Sequence, residues 1–434
     1  MAKIRMIIVF LYCSAFFVCW GQTGKETLYD ESKVPEYTLP ALLKLNNGKQ
    51  VTTTNKWEDS RRPELLKVFA DEVYGNAMAG SAQLPFKIVS VDKSALNGAA
   101  TRKEVQIRLS KSKNARQLNL IVYTPNQIKG PVPLFLGLNF SGNQGVHADP
   151  GITVTKYWTR FASQPGFNAE GIANDESRAK YAGRWNIELI LSRGYGVATA
   201  YYGDLQLDRA DIYSLPDDFN KWYDSSKVLK PDSSQWGAIG IWAWGLSRAL
   251  DYLERDPSVD ATKVAVIGHS RLGKSALWAG AQDRRFAMVI SNNSGEGGAA
   301  ITRRKFGETI RKINDKFPHW FAANFKKYND KEESLPTDFH ALMALIAPRP
   351  LYVASASEDL WADPVGEYKS LFHAGEVYRL YGFETFMDSK PPAVDAPVSA
   401  GVWGYHIRSG KHDITKYDWE QFLNFADRHL RDGK

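Results

Sequence analysis

In the stretch VAVIGHSRLGKSALWAGAQDRR, residues 264–285, a run rich in β-branched residues passes through Gly268 and Ser270 straight into a helical pattern. A serine hydroxyl is a weak nucleophile until a base activates it. A sharp strand-to-helix turn exposes that hydroxyl, and the first N–H groups of the helix face a developing oxyanion. The strict G-x-S-x-G pattern is not met, because Leu272 stands two residues after Ser270 and the glycine is Gly273. The plain alternative is a serine that only caps a helix.

Sheet hydrolases order their partners as nucleophile, then acid, then histidine. Of the eight histidines, four (His373, His406, His412 and His429) follow the last long apolar strand pattern. His373 and His429 fall in helical patterns, and His406, in VWGYHIRS, belongs to a strand or its edge. His412, in SGKHDIT, sits on a polar loop before the final helix and is the expected base. The segment ASASEDLWADP follows a buried strand and offers Glu358, Asp359 and Asp363. A carboxylate there would hold the imidazole tautomer and stabilise its cation; the plain reading is a solvated loop carrying acids, and its place at the strand end is what raises Asp359. Lys274, four residues beyond Ser270, lies on the same face of the emerging helix.

Such residues need a rigid frame. The runs VPLFLGLNF, YGVATAYYG, KVAVIGHS, FAMVISNNS and RPLYVASAS are short and nearly continuously apolar, as strands buried on both faces of a parallel sheet are. KEVQIRLS and RQLNLIVYTPN alternate as earlier strands. Helical patterns lie between and around the strands: RRPELLKVFADEVYG, WNIELILSRG, WGAIGIWAWGLSRALDYLERD, DFHALMALIA and, last, YDWEQFLNFADRHLRD. The alternation predicts an α/β protein with a doubly wound, mostly parallel sheet and helices on both faces. The aperiodic stretch from Ser141 to about Asp175 is expected to be a functional loop over the sheet.

The chain has 434 residues, 44% hydrophobic and 24% charged, enough for a large core. Lys3 and Arg5 precede the apolar run MIIVFLYCSAFFVCWG, which reads as an export signal over residues 1–21. Its removal would take both cysteines, Cys13 and Cys19, and leave residues 22–434 as one secreted or periplasmic catalytic domain, with no later run long enough for a membrane helix. The net charge of +7 is spread along the chain, with no basic runs interleaved with stacking aromatics, which argues against nucleic acid as a partner. Thirteen tryptophans are many for this length and compatible with a sugar ligand, since exposed indoles stack on sugar rings, but most large aromatics are core residues. No histidine pair has the close spacing of a zinc site, so neither metal nor cofactor is implied, and a monomer is the simpler expectation.

GHSRLGK, SGEGGAAITRR, LPTDFHALMALIAPRPLYVAS and the terminal GKHD together resemble the glucuronoyl esterases of carbohydrate esterase family 15. The resemblance implies the α/β-hydrolase fold as a three-layer sandwich. It also implies hydrolysis of the ester between the glucuronate carboxyl of glucuronoxylan and lignin alcohols. It makes Ser270 the nucleophile, His412 the base and Arg271 an oxyanion donor, with Lys274, Glu308 and Trp361 as glucuronate-binding positions. Read alone, Lys274 is a solvated helix lysine, Glu308 a surface acid and Trp361 a rim aromatic. Many members carry a triad glutamate where this chain has Asn293, and others draw the acid from the later strand-end loop. Asp359 is therefore expected to serve, ahead of Glu296 and Glu358. The rival readings are an acetyl xylan esterase and a noncatalytic carbohydrate-binding protein.

Overall fold

Side-chain alternation along the central strands dictates the layering. In β6 (Val259–His269), Val264 and Val266 enter one apolar core while Ala265 and Ile267 enter another, and all four are buried. A strand covered on both faces needs helices on both sides, and the chain supplies them. The structure, a computed structural model, describes residues 26–76, 84–109, 115–210 and 237–431. The expected export signal, with Cys13 and Cys19, lies outside them.

The other strands are β1 (Phe86–Ala95), β2 (Ala100–Arg108), β3 (Gln117–Pro125), β4 (Val132–Asn139), β5 (Gly196–Tyr201), β7 (Met288–Asn292), β8 (Leu351–Ala356), β9 (Val398–Ala400) and β10 (Trp403–Arg408). They form one sheet in the order β1-β2-β3-β5-β4-β6-β7-β8-β10-β9. From β5 to β10 every neighbouring pair is parallel, and antiparallel strands flank this block on both sides. The sheet is mixed, with the doubly wound α/β order expected from the sequence.

The larger core lies beneath α1 (Arg62–Phe69), α3 (Ala238–Leu253), α4 (Arg271–Gln282), α6 (Phe339–Ala344) and α7 (Pro364–Leu380). The smaller lies beneath α2 (Ile187–Ser192) and α8 (Lys416–His429). An eighth helix used below, α5 (Ile310–Lys316), starts with Thr309 accepting the Lys312 N–H. Among the described residues no helix is long and apolar enough to cross a membrane. Residues 141–175 pass over the β3–β5 side of the sheet as turns and isolated bridges, as their lack of periodicity predicted.

Candidate active site

β6 ends at His269 and α4 begins at Arg271, so Ser270 alone makes the turn. A Cβ on Gly268 would lie 1.9 Å from the Leu272 carbonyl oxygen, so only glycine allows so tight a return. Ser270 is held at φ 57°, ψ −129°, a conformation that costs a non-glycine residue about 1–3 kcal/mol. Its N–H is tied to the Asn292 carbonyl of β7, 2.9 Å away. The hydroxyl makes no capping bond to α4. The plain reading of a capping serine therefore fails: Ser270 has the cap position without the cap's hydrogen bond.

His412 lies on the loop between β10 and α8. Its Nδ1 is 2.6 Å from Asp359 Oδ2, and Asn293 Nδ2 donates to the same oxygen at 2.9 Å. Asp359 is 7% exposed, so its charge depends on those two donors instead of water. The His412 ring lies 4.6 Å from that of His269, the residue before Ser270, which places it beside the elbow. Among the described residues Nε2 of His412 has no partner, leaving it free for a proton.

The other acids go elsewhere. Glu296 is buried and accepts the Gly297 N–H, and its burial pushes the carboxyl well above the usual range. Asp363 pairs with Arg304. Glu358 makes no side-chain bond to His412 among the described residues. His406 is fully buried in β10, bonded to Asp418 Oδ1 at 2.9 Å and to the Tyr352 hydroxyl at 3.0 Å.

Arg271, its side chain 11% exposed, stands beside the serine. Its guanidinium binds Asp208 and lies 4.5 Å from the centre of the Trp320 ring, yet its Nε–H has no partner among the described residues. Asp208 also accepts from Trp320 Nε1 at 2.7 Å and Tyr202 at 3.1 Å, and lies 2.8 Å from His319 Nε2. Burial opposes the Asp208 charge, but the His319 bond, the Arg271 cation and the Trp320 bond hold the carboxyl far below its ordinary range. Sequence reasoning missed Asp208. Its place in YYGDLQLD, just beyond a buried strand, is the same strand-end signal that picked out Asp359.

Lys274 and Glu308 are 4% and 8% exposed, which overturns the plain readings of a solvated lysine and a surface acid. The Lys274 ammonium donates to the Ser294 carbonyl. Burial lowers its proton affinity, against the pull of Glu308 first among the surrounding carboxylates. Burial raises Glu308 in turn, partly offset by Lys274. Trp361, 36% exposed at the rim, accepts the Glu308 backbone N–H on its own carbonyl at 3.0 Å. The Lys312 and Lys316 ammonium groups of α5 lie 5.7 and 5.9 Å from its ring centre.

The loop carrying His412 is strapped down by a residue the sequence did not single out. Arg408 Nη2 donates to the carbonyls of Lys411 and Asp413, either side of the histidine, at 2.8 and 2.7 Å. Its Nε binds Asp418, which also caps α8 through Thr415.

Similarity to known proteins agrees with this geometry. A family model described as glucuronyl esterase of fungi matches residues 195–382. A carbohydrate esterase from an unknown prokaryotic organism, MZ0003, is 46% identical over 93% of this chain and 92% of its own. The chain belongs to the glucuronoyl esterase family. Its members are carboxylic ester hydrolases, and the α/β-hydrolase fold is theirs. The glucuronoyl esterase of Solibacter usitatus superposes with a TM-score of 0.86 at 46% identity, covering 92% of this chain and all of that one. A promiscuous family 15 esterase from a marine bacterial metagenome matches equally well, with a TM-score of 0.86 at 45% identity over 93% of this chain and all of its own. The 4-O-methyl-glucuronoyl methylesterase of Hypocrea jecorina is 35% identical over 38% of this chain and 37% of its own.

Proposed function

We propose that this glucuronoyl esterase hydrolyses the ester between the carboxyl of (4-O-methyl-)glucuronic acid in glucuronoxylan and lignin alcohols, through Ser270, His412 and Asp359. The observation that carries the reading is the uncapped Ser270, strained at the elbow beside an Asp359-anchored imidazole, with buried Lys274 and Glu308 four residues and one loop away. His412 Nε2 takes the Ser270 proton as Oγ attacks the ester carbon, and the Asp359 charge stabilises the imidazolium. The Ser270 oxygen–carbon bond forms while the carbonyl electrons move onto its oxygen. The Arg271 backbone N–H and its unpartnered Nε–H are the donors assigned to that oxyanion. Collapse expels the alcohol, which leaves with the proton from His412. Water, deprotonated by the same nitrogen, then releases the uronic acid from Ser270.

Lys274 and Glu308 offer a donor and an acceptor to the uronate ring hydroxyls, and Trp361 offers a face. Relatives named 4-O-methyl-glucuronoyl methylesterases support this substrate class. The N-terminal signal fits export to where such polymers lie. The neighbour described as promiscuous favours a second reading, in which simpler carbohydrate esters such as acetyl xylan are also cleaved. The deciding assay sets benzyl and methyl esters of glucuronic acid beside acetylated xylan, with Ser270→Ala as control. Uronate esters are expected to turn over with Ser270 present and not without it; rapid acetyl release with uronate esters untouched would reverse the assignment.

A further inference from the structure

A second cleft opens at the carboxyl ends of β4 and β5, on the sheet end that carries the elbow, between β2–β3 and residues 153–157 of the long loop. Its volume, about 340 Å³, falls within the range of small-ligand sites. The walls mix uncharged polar and apolar side chains, with one cation, Lys156. Gln106 and Asn119 face each other across the β2–β3 pair, Gln117 follows two residues along, and Tyr157 and Tyr201 add phenol rings. The charge of Glu104 is already engaged by the Thr153 N–H and hydroxyl and by Ser90.

Two features set the hydrogen-bonding character of the walls. The side-chain amides of Gln106 and Gln117 are partly exposed and make no hydrogen bond among the described residues, so they are open to a ligand. Asp204, 1% exposed on the cleft wall, takes both Asn119 donors on Oδ2 at 2.8 and 3.0 Å and leaves Oδ1 buried without a partner. Amides and hydroxyls that both donate and accept match a polyhydroxyl ligand, whereas a phosphate would call for clustered cations and a lipid for apolar walls.

The cleft opens on the same end of the sheet as the elbow, and two of its wall residues are near neighbours in sequence of groups that reach Arg271. Tyr201 on its wall precedes Tyr202, whose hydroxyl donates to the Asp208 that grips Arg271. Asn143, also on the wall, follows Phe140 by three residues, and the Arg271 guanidinium lies 5.9 Å from the Phe140 ring.

We propose that this cleft is a distal subsite for uncharged sugar units of the polysaccharide chain whose uronate ester lies at Ser270, an inference that rests on the esterase reading for the identity of the chain. Calorimetry with neutral xylohexaose, which has no uronate, tests it on the wild type and on Gln106→Ala/Gln117→Ala. The expected result is binding to the wild type that weakens at least tenfold in the variant. The variant should keep wild-type kcat and KM on benzyl glucuronate, while its KM for uronoyl esters on long xylan rises severalfold. Gln106→Glu, which keeps the size and adds charge, should weaken binding likewise, and matching melting temperatures show that the variants are folded. Equal xylohexaose binding in variant and wild type, no binding in either, or an unchanged KM on the polymer overturns the subsite. Failure of the wild type to cleave any uronate ester refutes the esterase reading instead, and the calorimetric comparison still decides the cleft.

Discussion

Replacing Asp359 by asparagine keeps the shape of the acid and removes its charge. The carboxylate lies 2.6 Å from His412 Nδ1, and the barrier contains the pairing of that charge with the imidazolium that forms. At an effective dielectric of about 20, opposite charges about 4 Å apart attract by about 4 kcal/mol. The His412 side chain is 42% exposed, so solvent screening trims this to about 3 kcal/mol, roughly a hundredfold in rate. An asparagine amide facing Nδ1 also favours the wrong tautomer, and in the serine-protease triad the same change lowers kcat by about 10⁴. The expected loss of kcat on benzyl glucuronate is therefore about 10³ to 10⁴. Asn293→Ala removes one donor from Asp359 and leaves the charge, so its expected loss is below about tenfold, in keeping with a single hydrogen bond worth about 1 kcal/mol. Steady-state kinetics, with thermal melts to show that both variants fold, compares them. Equal losses, or less than a tenfold loss for Asp359→Asn, would falsify the assignment of the acid.

Three other perturbations have defined outcomes. Lys274→Met alone leaves buried Glu308 without its cation and is expected to destabilise the fold by about 3 kcal/mol, whereas Lys274→Met/Glu308→Gln regains most of that loss, and both are inactive on uronate esters; urea unfolding at pH 7 measures the difference. Burial pushes Glu367 up to about 8, so the folded state keeps a proton that the unfolded chain loses above the ordinary carboxylate range. Stability through this group therefore falls as pH rises from about 4.5 to 8. The melting temperature of Glu367→Gln relative to wild type should climb across that window and level off above it. Asp208→Asn loosens Arg271 and should lower kcat by about ten- to a hundredfold with little change in KM, a fraction of what removing an oxyanion donor outright costs; an unchanged kcat rules out this positioning role.

The elbow was legible because its signal is local: a β-branched run, a glycine, a serine and a helical repeat within one short window. The strands from β4 to β8 were legible for the same reason, as buried parallel strands are short and apolar throughout, and the antiparallel β2 and β3 were legible by their alternation. By contrast, β1 escaped because its residues Phe86 to Val91 are mostly exposed, so it lacks a clean alternation. Helix α7 was seen only as the helical pattern around His373, without its bounds, because it buries Glu367 and Ser370 among its apolar residues and has no plain polar face. Asp208 and Arg408 were not visible as site residues because their meaning lies in pairings made by the fold. Asp208 meets an arginine 63 positions away, and Arg408 acts through backbone carbonyls, which carry no sequence signature.

The Arg408 strap also bears on how the protein wears out. The nucleophile is rooted in the middle of the sheet, on β6, but the base hangs from β10, one strand from the edge, and its loop is fastened there by the guanidinium groups of Arg408 and Arg184, by the Glu358 N–H on the Gly410 carbonyl and by the first turn of α8. Edge elements open before a sheet's centre does. Warming should therefore carry His412 away while the elbow is still intact, so that activity fades over a range of temperature in which most of the core still stands. The useful lifetime of the enzyme is set at its carboxyl-terminal margin, and fastening β9 and β10 there would extend it more than further packing around Ser270.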